Sequence, residues 1–437
     1  PRGRPVAPRD FVFAHLADAH VGAWPRDPAV RAALRESVLA ALRTVTERSA
    51  DFLVISGDLF HTPVPDPDEV APIAAALRDL ADRGVRVYVI FGSHDYVAHR
   101  TSWLDVLAET GLFVRVAPEA VRSGEERWKL PFLIDAPTGA VIAGISGRSH
   151  GLDREYYRSM DPSDYVRTPG FHVFMFHAAV QEYLPPGLQA HVRGVSRADL
   201  PPDADYYAGG HIHASYTGLG PSGGLLVNPG AVFGTSLPDI VQGAAGRSHR
   251  GLVVVTVRSG VPSLEFVETL RPGSVDVFDV DLSGKSADEA RTTVRDEVRA
   301  HSVPGVLLFP HLTGVSDATR AAELGLQDSS SDAAARGAAS VHWDVADLAP
   351  GTSDRVAGPE TETQLEDLVL ETLGSLTPLP LPGLSPEEAS RRIRELVREL
   401  GTPPGDGEAK EDYRTARVNA GLRVLGVRRP ATEADAP

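Results

Sequence analysis

Polar residues that can bind metal ions follow five of the strands that apolar runs predict in the first half of this chain. Residues 11–17, 51–56 and 85–91 are such runs, and aspartate and histidine follow each of them. Two later runs, 171–176 and 203–210, are also followed by histidine. Stretches with helical apolar periodicity lie between the first three strands. This alternation predicts an α/β domain whose functional residues lie in loops at strand ends.

The residues in these five loops are placed too regularly for a purely structural role. Of the 15 histidines in the sequence, six follow the predicted strands. A histidine whose ring is hydrogen-bonded within the core does not require this arrangement. We therefore predict that the five loops converge on one metal centre. The candidate site residues are Asp18, His20, Asp58, His61, Ser93, His94, His177, His211 and His213.

The spacing of these residues suits a pair of cations. Two divalent ions about 3.5–4 Å apart need several protein ligands each and a carboxylate that both ions share. Asp58 is the natural shared ligand, because it follows a glycine that lets the backbone turn tightly. Asp18 and His20 can contact one ion together, and His211 and His213 alternate as on a strand. Oxygen and nitrogen ligands without sulfur suit Mn, Fe or Zn better than Ca or Cu(I).

Composition restricts the classes of protein that this chain can represent. The sequence contains no cysteine, which excludes disulfides and thiolate metal sites and suits an intracellular protein. No uninterrupted apolar run is long enough to span a bilayer. The net charge of −16 argues against binding nucleic acid through global charge. Binding to nucleic acid would require a local site, bound cations or a basic partner.

The 437 residues are enough for two or three domains. The predicted organisation is a catalytic domain at 1–270, a small second domain at 271–349, a linker at 350–383 and a helical segment at 384–437. The second domain is predicted to contain two strands around a helix at 286–300. A loop is predicted at 325–340, because this segment is rich in small and polar residues. The final segment predicts helices at 385–400 and 411–425, which either fold back or dock on another protein.

The motif series D-x-H, G-D-x-x-H, G-S-H-D, a single H and G-H-x-H resembles the calcineurin-like metallophosphoesterase superfamily. The segments HLADAHVG, GDLFHTP and GSHDY narrow this to the SbcD type, the nuclease subunit of double-strand-break repair complexes. The motif resemblance covers residues 11–232. It implies a β-sandwich flanked by helices. The small α+β domain at 271–349 resembles the family's capping domain, and residues 384–437 resemble its segment that binds an ATPase.

The resemblance also implies roles for individual residues. His94 would act near the scissile phosphate, His61 would be a secondary catalytic residue, and Asp95 would support the loop. Ser93 stands where the family more commonly has asparagine, so the second ion is expected to bind more loosely or to take a water there. The implied ligands are Asp18, His20 and His213 for one ion, Asp58 as the bridge, and His177, His211 and position 93 for the second.

The function implied by the resemblance is metal-assisted hydrolysis of DNA phosphodiesters. We expect a Mn²⁺-dependent exonuclease and endonuclease subunit, active on double-stranded ends and single strands. It would be a homodimer with an SMC-like coiled-coil ATPase of the SbcC type, located in the cytoplasm at the nucleoid and not at a membrane. One alternative is a small-molecule or nucleotide phosphodiesterase or phosphatase on the same site, which would explain the acidic charge. Another is a non-catalytic subunit that bridges the ATPase, for which Ser93 leaves room.

Overall fold

The structure is a computed structural model, and its chain divides into two compact units, residues 1–351 and 352–437. The described residues are 9–95, 101–116, 127–147, 153–184, 192, 194–270, 273–316, 324–350, 395 and 410–425.

Strands and helices alternate along most of the first unit. The strands are β1 (Phe11–Leu16), β2 (Phe52–Ser56), β3 (Arg86–Ile90), β4 (Val114–Arg115), β5 (Trp128–Lys129), β6 (Phe132–Asp135), β7 (Ala140–Ile145), β8 (Met160–Asp161), β9 (His172–His177), β10 (Tyr206–Gly210), β11 (Tyr216–Leu219), β12 (Leu225–Asn228), β13 (Gly251–Arg258), β14 (Val261–Glu268), β15 (Val275–Asp281), β16 (Leu307–Ser316), β17 (Ser340–Val341) and β18 (Asp344–Pro350). The helices are α1 (Pro28–Glu47), α2 (Pro67–Asp82), α3 (Trp103–Glu109), α4 (Asp153–Arg158), α5 (Ser163–Arg167), α6 (Leu237–Ala244), α7 (Ala287–His301), α8 (Leu326–Ala335) and, in the second unit, α9 (Lys410–Leu425).

Two six-stranded sheets form a sandwich. The first has the strand order β14-β13-β1-β2-β3-β4, and the second has the order β11-β12-β10-β9-β7-β6. Strands β1 to β4 are parallel, as are β7, β9, β10 and β12. The carboxyl ends of parallel strands lie along one edge of a sheet, so the loops that follow them are neighbours. The predicted α/β sandwich is confirmed.

The core between the two sheets is aromatic and contains one buried histidine. The ring of Phe13 stacks on Phe52 with 4.9 Å between centroids and meets the edge of Tyr206 at 5.1 Å. Burying a side chain of this size stabilises the fold by about 1.5–3 kcal/mol. His15 bonds Tyr206 and Ser56 at 2.9 and 3.0 Å, and burial lowers its pKa to about 3. His15 therefore joins the sheets as a neutral ring.

Helix α1 begins where the sequence predicts. The carboxylate of Asp27 accepts hydrogen bonds from the backbone of Ala29 and Val30, both at 2.9 Å, and proline is the first helical residue. Val30 and Leu34 lie on the buried face of the helix. Since these residues pack against the outer face of the first sheet, the helix covers the side of the sandwich opposite the second sheet.

A third, smaller sheet follows the sandwich. Strands β15 and β16 are parallel, with Val275 opposite Leu307, and α7 connects them. This arrangement confirms the predicted unit of two strands around a helix. Strands β17 and β18 also pair with β16 in parallel. The boundary at residue 270 stays a prediction, because residues 1–351 form one compact unit.

The prediction of a loop at 325–340 is wrong, because most of this segment forms the helix α8. The hydroxyls of Ser330 and Ser331 bond the carbonyls of Leu326 and Gln327 at 2.9 Å, one turn back. Serine more often favours turns because its side chain competes for backbone groups, but here it bonds within the helix. Asp332 also accepts a hydrogen bond from Arg299 of α7 at 2.7 Å. Tertiary packing thus overrides a composition that predicts a loop.

The third sheet contacts the sandwich beside the loop that follows β1. The second carboxylate oxygen of Asp27 accepts from Ser340 at 2.5 Å and lies 2.8 Å from His342 Nε2. The His342 ring stacks on Phe309 with 5.0 Å between centroids and lies 5.4 Å from Trp24. Asp27 therefore caps α1 and binds the third sheet at the same time.

The second unit contains α9, which matches the helix predicted at 411–425. The helix predicted at 385–400 lies outside the described residues, apart from residue 395. Across the part of the chain that is described, none of the helices combines the length and the apolar character needed to cross a membrane.

The third sheet has a histidine between two carboxylates, which predicts a pH-dependent stability. His311 Nδ1 lies 3.0 Å from Asp279, and its Nε2 lies 3.0 Å from Asp347. Burial lowers the pKa of His311, but the two carboxylates outweigh burial and raise it above 6.5. A raised pKa in the folded state contributes stability below the unfolded value, and this is lost as pH rises through the folded value.

We therefore expect His311→Gln to lower Tm more at about pH 6 than at about pH 9. Thermal unfolding followed by circular dichroism at both pH values measures the difference. Asp347→Asn is the control, because removing one of the carboxylates should reduce the pH dependence without removing the imidazole. An equal loss of Tm at both pH values would contradict this role for His311.

Candidate metal centre

Five loops at the carboxyl ends of β1, β2, β3, β9 and β10 meet at one edge of the sandwich. The loop after β1 is tied to the loop after β2, because the backbone amides of Asp18 and His20 bond the carbonyls of Gly57 and Asp58 at 3.2 and 2.9 Å. His177 at the end of β9 crosses between the sheets, since its Nδ1 bonds the carbonyl of Ser56 at 2.8 Å. The predicted convergence of these loops is therefore present.

Backbone strain is concentrated in these loops. Among the described residues, eight residues other than glycine have positive φ, and four of them are predicted site residues. Asp18, His20, Asp58 and His211 have φ of 50°, 46°, 53° and 87°. Residues with a side chain rarely adopt positive φ. Each such residue costs about 1–3 kcal/mol of free energy, and the conformation persists only where the surrounding structure imposes it. Three of these side chains lie close together, with His20 Nε2 4.0 Å from the carboxylate of Asp18 and 3.6 Å from that of Asp58.

Glycines allow the loops to approach each other. A Cβ on Gly57 would collide with the ring of His177 and would lie 2.8 Å from the backbone of Gly92. A Cβ on Gly92 would collide with Asp58, and one on Gly210 would collide with the carbonyl of Ser56. The pair of glycines before His211 is thus explained, because Gly210 lets β10 lie directly against β2.

The first group of ligand atoms comes from Asp18, His20 and His213. One ligand atom from each residue lies within 4.8 Å of the other two. The Nε2 atoms of His20 and His213 are 3.1 Å apart, and His20 Nε2 lies 4.0 Å from the Asp18 carboxylate. Burial lowers the pKa of His20 well below its usual value, so its ring is neutral and can bind a cation. These are the residues predicted for one ion.

Asp58 lies between this group and a second one. Its Oδ2 atom is 3.6 Å from His20 Nε2 and 3.2 Å from His177 Nε2, and Asp18, Asp58 and His177 form another group within 4.8 Å. Burial opposes ionisation of Asp58, but His177 outweighs it and, with the backbone amide of His94, holds the pKa of this carboxyl below its usual range. Asp58 is therefore an ionised carboxylate placed between two sets of ligands.

The donor set fits divalent cations. With bonds of about 2.0–2.2 Å, neighbouring ligand atoms on one ion lie about 3.0–3.5 Å apart, close to the separations measured at His20, His213 and His177. His177 supplies a second argument. Its Nδ1 bonds Ser56 O, whereas its buried Nε2 faces Asp58 without a well-directed hydrogen bond. A buried ring nitrogen that has no hydrogen-bond partner and lies beside a carboxylate is placed to bind a cation together with that carboxylate.

His211 and Ser93 occupy the rim of this second group. The His211 ring centroid lies 5.1 Å from that of His177, and its backbone amide bonds the Asp18 carboxylate at 2.9 Å. His211 belongs to none of the three ligand groups found among the described residues. The Ser93 hydroxyl lies 3.3 Å from Asp58 Oδ2. The second ion would therefore have two firmly placed ligands, Asp58 and His177, and two peripheral ones.

His94 and His61 form an adjacent pair with His20. Ligand atoms of the three rings lie within 4.8 Å of one another, and the rings of His61 and His94 stack at 5.1 Å. His94 Nδ1 bonds the carbonyl of His61 at 2.8 Å, which fixes the orientation of the ring. His94 is exposed, whereas His20 is buried. The His94 ring is therefore accessible to a substrate that approaches the metal ligands.

Asp95 supports the loops, as the sequence predicts. Its carboxylate accepts from the backbone amides of Asp58 at 2.7 Å and Gly92 at 2.9 Å. Burial, followed by the charge of Asp58, raises the pKa of Asp95 to about 7. Asp95 thus joins the loops after β2 and β3 beneath the site.

Sequence reasoning missed Asp239 at the start of α6. Its Oδ2 lies 2.9 Å from His213 Nδ1, on the side of the ring opposite the candidate metal ligands. The pattern Ser236-x-x-Asp239 predicts a helix start, but nothing in the sequence relates it to His213.

Comparison with known proteins agrees with this geometry. The family model described as calcineurin-like phosphoesterase matches residues 11–215, and this span contains all of the predicted site residues. Residues 11–215 therefore form a calcineurin-like metallophosphoesterase domain, and the family predicted from the motifs is confirmed.

Two relatives are named DNA double-strand break repair protein Mre11. The protein from Methanopyrus kandleri is 26% identical over 65% of this chain and 62% of its own length. The protein from Archaeoglobus fulgidus is 29% identical over 46% of this chain and 45% of its own. A third relative, the uncharacterized metallophosphoesterase YhaO of Bacillus subtilis, is 24% identical over 59% of this chain and 60% of its own. The chain thus spans about half the length of the curated relatives that it matches.

The position of Asp58 predicts that its loss prevents normal metal binding. Loss of an outer partner of a ligand already costs about 10- to 100-fold in affinity, so Asp58→Asn should weaken Mn²⁺ binding by more than about 100-fold. Isothermal titration calorimetry of the metal-free protein measures this affinity.

Asp135→Asn is the matched control, because Asp135 is a buried carboxylate of the same sandwich that pairs with Arg86 at 2.8 Å. This variant should lower Tm and leave Mn²⁺ affinity unchanged. Two manganese ions bound by Asp58→Asn with the affinity of the unaltered protein would contradict the shared role of Asp58.

Proposed function

We propose that this protein is a two-metal, Mn²⁺-dependent DNA exonuclease and endonuclease of the SbcD/Mre11 type. The observation that carries the proposal is the position of the Asp58 carboxylate between two groups of candidate ligand atoms. The relatives named as DNA double-strand break repair proteins support a DNA substrate. The catalytic domain, capping domain, linker and partner-binding segment would be residues 1–270, 271–349, 350–383 and 384–437.

The proposed ligands follow the two groups in the site. One ion would be held by Asp18, His20 and His213, and the second by His177 and His211 with at most weak help from Ser93, with Asp58 shared. A pair of divalent cations, when bound, stabilises charge on the phosphoryl oxygens and lowers the pKa of the attacking water. Asp18 binds one ion and also accepts the backbone amide of His211, so it holds the loops of both ions together.

His94 is the proposed general acid. A proton donor must reach the leaving oxygen, and His94 is exposed at the rim of the site. Because its Nδ1 donates to the carbonyl of His61, the other ring nitrogen, Nε2, faces away from that bond, and the imidazolium form of His94 would give the Nε2 proton to the leaving group. The stacked ring of His61 limits rotation of His94, which assigns His61 a positioning role.

The charge of the chain supports DNA contacts at the metal site. The net charge of −16 disfavours long-range attraction of a polyanion. The cations would neutralise the cluster of Asp18 and Asp58, and backbone phosphate would then bind where the positive charge is fixed. A local site of this kind cleaves phosphodiesters with little dependence on base sequence, because phosphate contacts do not read bases.

We propose a homodimer and an SMC-like coiled-coil ATPase of the SbcC type as partners, in the cytoplasm at the nucleoid. Helix α9, with the segment predicted as a helix at 385–400, would dock on the ATPase. A partner of this kind would add positive charge to a chain whose net charge is −16.

The nuclease proposal predicts Mn²⁺-dependent cleavage that needs His94. The full chain with Mn²⁺ should degrade linear double-stranded DNA, and a chelator should stop it. His94→Asn should lower kcat by about 10²–10⁴-fold, the usual contribution of a general acid, with metal content unchanged. Gel assays and elemental analysis of both proteins measure these effects.

Two outcomes would favour other functions. Hydrolysis of bis-p-nitrophenyl phosphate without DNA cleavage, even with the ATPase present, would indicate a small-molecule phosphodiesterase. Repair that persists in cells carrying Asp58→Asn or His94→Asn would indicate a non-catalytic assembly subunit.

Ser93 predicts that the second ion is loosely bound. Ser93→Asn adds an amide oxygen that can reach an ion, so Mn²⁺ affinity at the weaker site should rise by about tenfold, or about 1.4 kcal/mol. Ser93→Ala is the control and should change the affinity little, since the hydroxyl lies 3.3 Å from Asp58 in a weak hydrogen bond. Calorimetry of both variants measures the change. A marked loss of affinity in Ser93→Ala would instead identify the hydroxyl as a direct ligand.

A further inference from the structure

The ring of His213 is held from the side that faces away from the candidate metal ligands. Its Nε2 lies 3.1 Å from His20 Nε2, within the group that includes Asp18. Its Nδ1 lies 2.9 Å from Asp239 Oδ2. An ionised carboxylate accepts hydrogen bonds and cannot donate them, so Nδ1 carries the proton. The lone pair of Nε2 therefore points into the metal centre.

Asp239 is itself fixed by backbone groups. It is the third residue of α6, and its Oδ2 accepts from the amides of Thr235 at 2.9 Å and Ser236 at 3.1 Å. The hydroxyl of Ser236 bonds the amide of Asp239 in return. The carboxylate that caps α6 thus also accepts a hydrogen bond from the ring of His213. The start of the helix therefore determines the position of that ring.

Arg250 ties the main chains of His213 and Asp239 together. One guanidinium nitrogen bonds the carbonyl of His213 at 2.8 Å, and the other bonds the carbonyl of Asp239. Arg250 is 2% exposed and is the largest of the fully buried side chains among the described residues. Gly243 of α6 leaves room for it, since a Cβ there would lie 2.8 Å from Arg250 Cγ. Arg250 also bonds the carbonyl of His249 at 3.2 Å and the hydroxyl of Ser248 at 2.9 Å, so its planar guanidinium is held rigidly between the two main chains.

We propose that Asp239 and Arg250 are the positioning residues that make His213 a ligand of the first metal ion. The inference rests on the proposed function, because it assumes that Asp18, His20 and His213 hold a cation. Asp239 fixes the tautomer and the orientation of the ring, and Arg250 fixes the separation of the two main chains. Both residues lie beyond the segment 11–215 that matches the phosphoesterase family model.

This pair explains why α6 and the start of β13 lie beside the metal centre. His213 is only half-buried, and its loop leaves β10 at the strained residue His211. A ring on such a loop has no strand to orient it. The hydrogen bond from the remote side supplies that orientation, as carboxylates do for metal-bound histidines in general.

Metal titration of the full chain with Mn²⁺ tests the proposal. Asp239→Ala should weaken binding at one of the two sites by about 10- to 100-fold, the usual cost of losing such a partner, and leave the other site nearly unchanged. Asp239→Asn keeps an acceptor for the helix cap and the ring without the charge, so it should restore part of that affinity. The absorption spectrum of bound Co²⁺ should change in Asp239→Ala, because the geometry at one ion changes.

Glu289→Ala is the matched control. Glu289 closes the same type of cap with Ser286 at the start of α7, but it contacts no histidine. This variant should lose helix-cap stability, measured as Tm, and keep both Mn²⁺ affinities and the Co²⁺ spectrum. A loss confined to Tm in the Asp239 variants as well would assign Asp239 to the cap alone and overturn the inference.

The outcomes also separate this inference from the proposed function. If the unaltered protein binds two Mn²⁺ ions and Asp239→Ala binds both with the same affinity, only the positioning role is wrong. If the unaltered protein binds no Mn²⁺, the proposed function is wrong, and this inference is wrong with it. Should Asp239→Ala fail to fold, Asp239→Asn and Arg250→Lys give the same readouts, with weakened binding at one site as the expected result.

Discussion

The buried charge of Asp58 is the constraint on which the rest of the site depends. A carboxylate without counter-charge is costly in a buried position, so the surrounding groups must compensate it. His177 does so at 3.2 Å, the backbone amide of His94 bonds its other oxygen at 2.8 Å, and the neutral ring of His20 lies 3.6 Å away. These contacts come from three strand ends in two different sheets. The sandwich therefore has to bring its parallel strand ends to one edge before this carboxylate can be buried at all.

The same requirement explains the local sequence around the site. Gly57 and Gly92 lack a Cβ at positions where the loops nearly touch. Asp18 and Asp58 adopt left-handed backbone conformations, which are rare for residues other than glycine. Each strained residue costs free energy that the core of the sandwich has to offset. The stacking of Phe13 and Phe52 beneath the loops contributes to that offset. These loops lower the stability of the fold in order to orient side chains, which is typical of functional sites.

The parts that the sequence predicted well are those that local patterns encode. Asp27 before Pro28 marks the start of α1, and the ligands that follow apolar runs come together because strand ends of a parallel sheet are neighbours. Asp239 and Arg250 could not be found in this way. Their contacts with His213 span 26 and 37 residues, and no period or motif relates them. The prediction at α8 was wrong for the opposite reason, because the local composition predicts a loop. The helix packs against α7, where Arg299 donates a hydrogen bond to Asp332.

The acidic charge of the chain is compatible with a DNA substrate only if binding is local. A surface with a net charge of −16 provides no long-range steering for a polyanion, so affinity has to arise where cations are fixed. The ligand groups around Asp58 and Asp18 are acidic without ions and would become attractive to phosphate when two divalent cations are bound. Metal loading would then control substrate binding as well as chemistry. The precise placement of His213 matters for the same reason, because a loosely held ion would weaken the positive charge at the site.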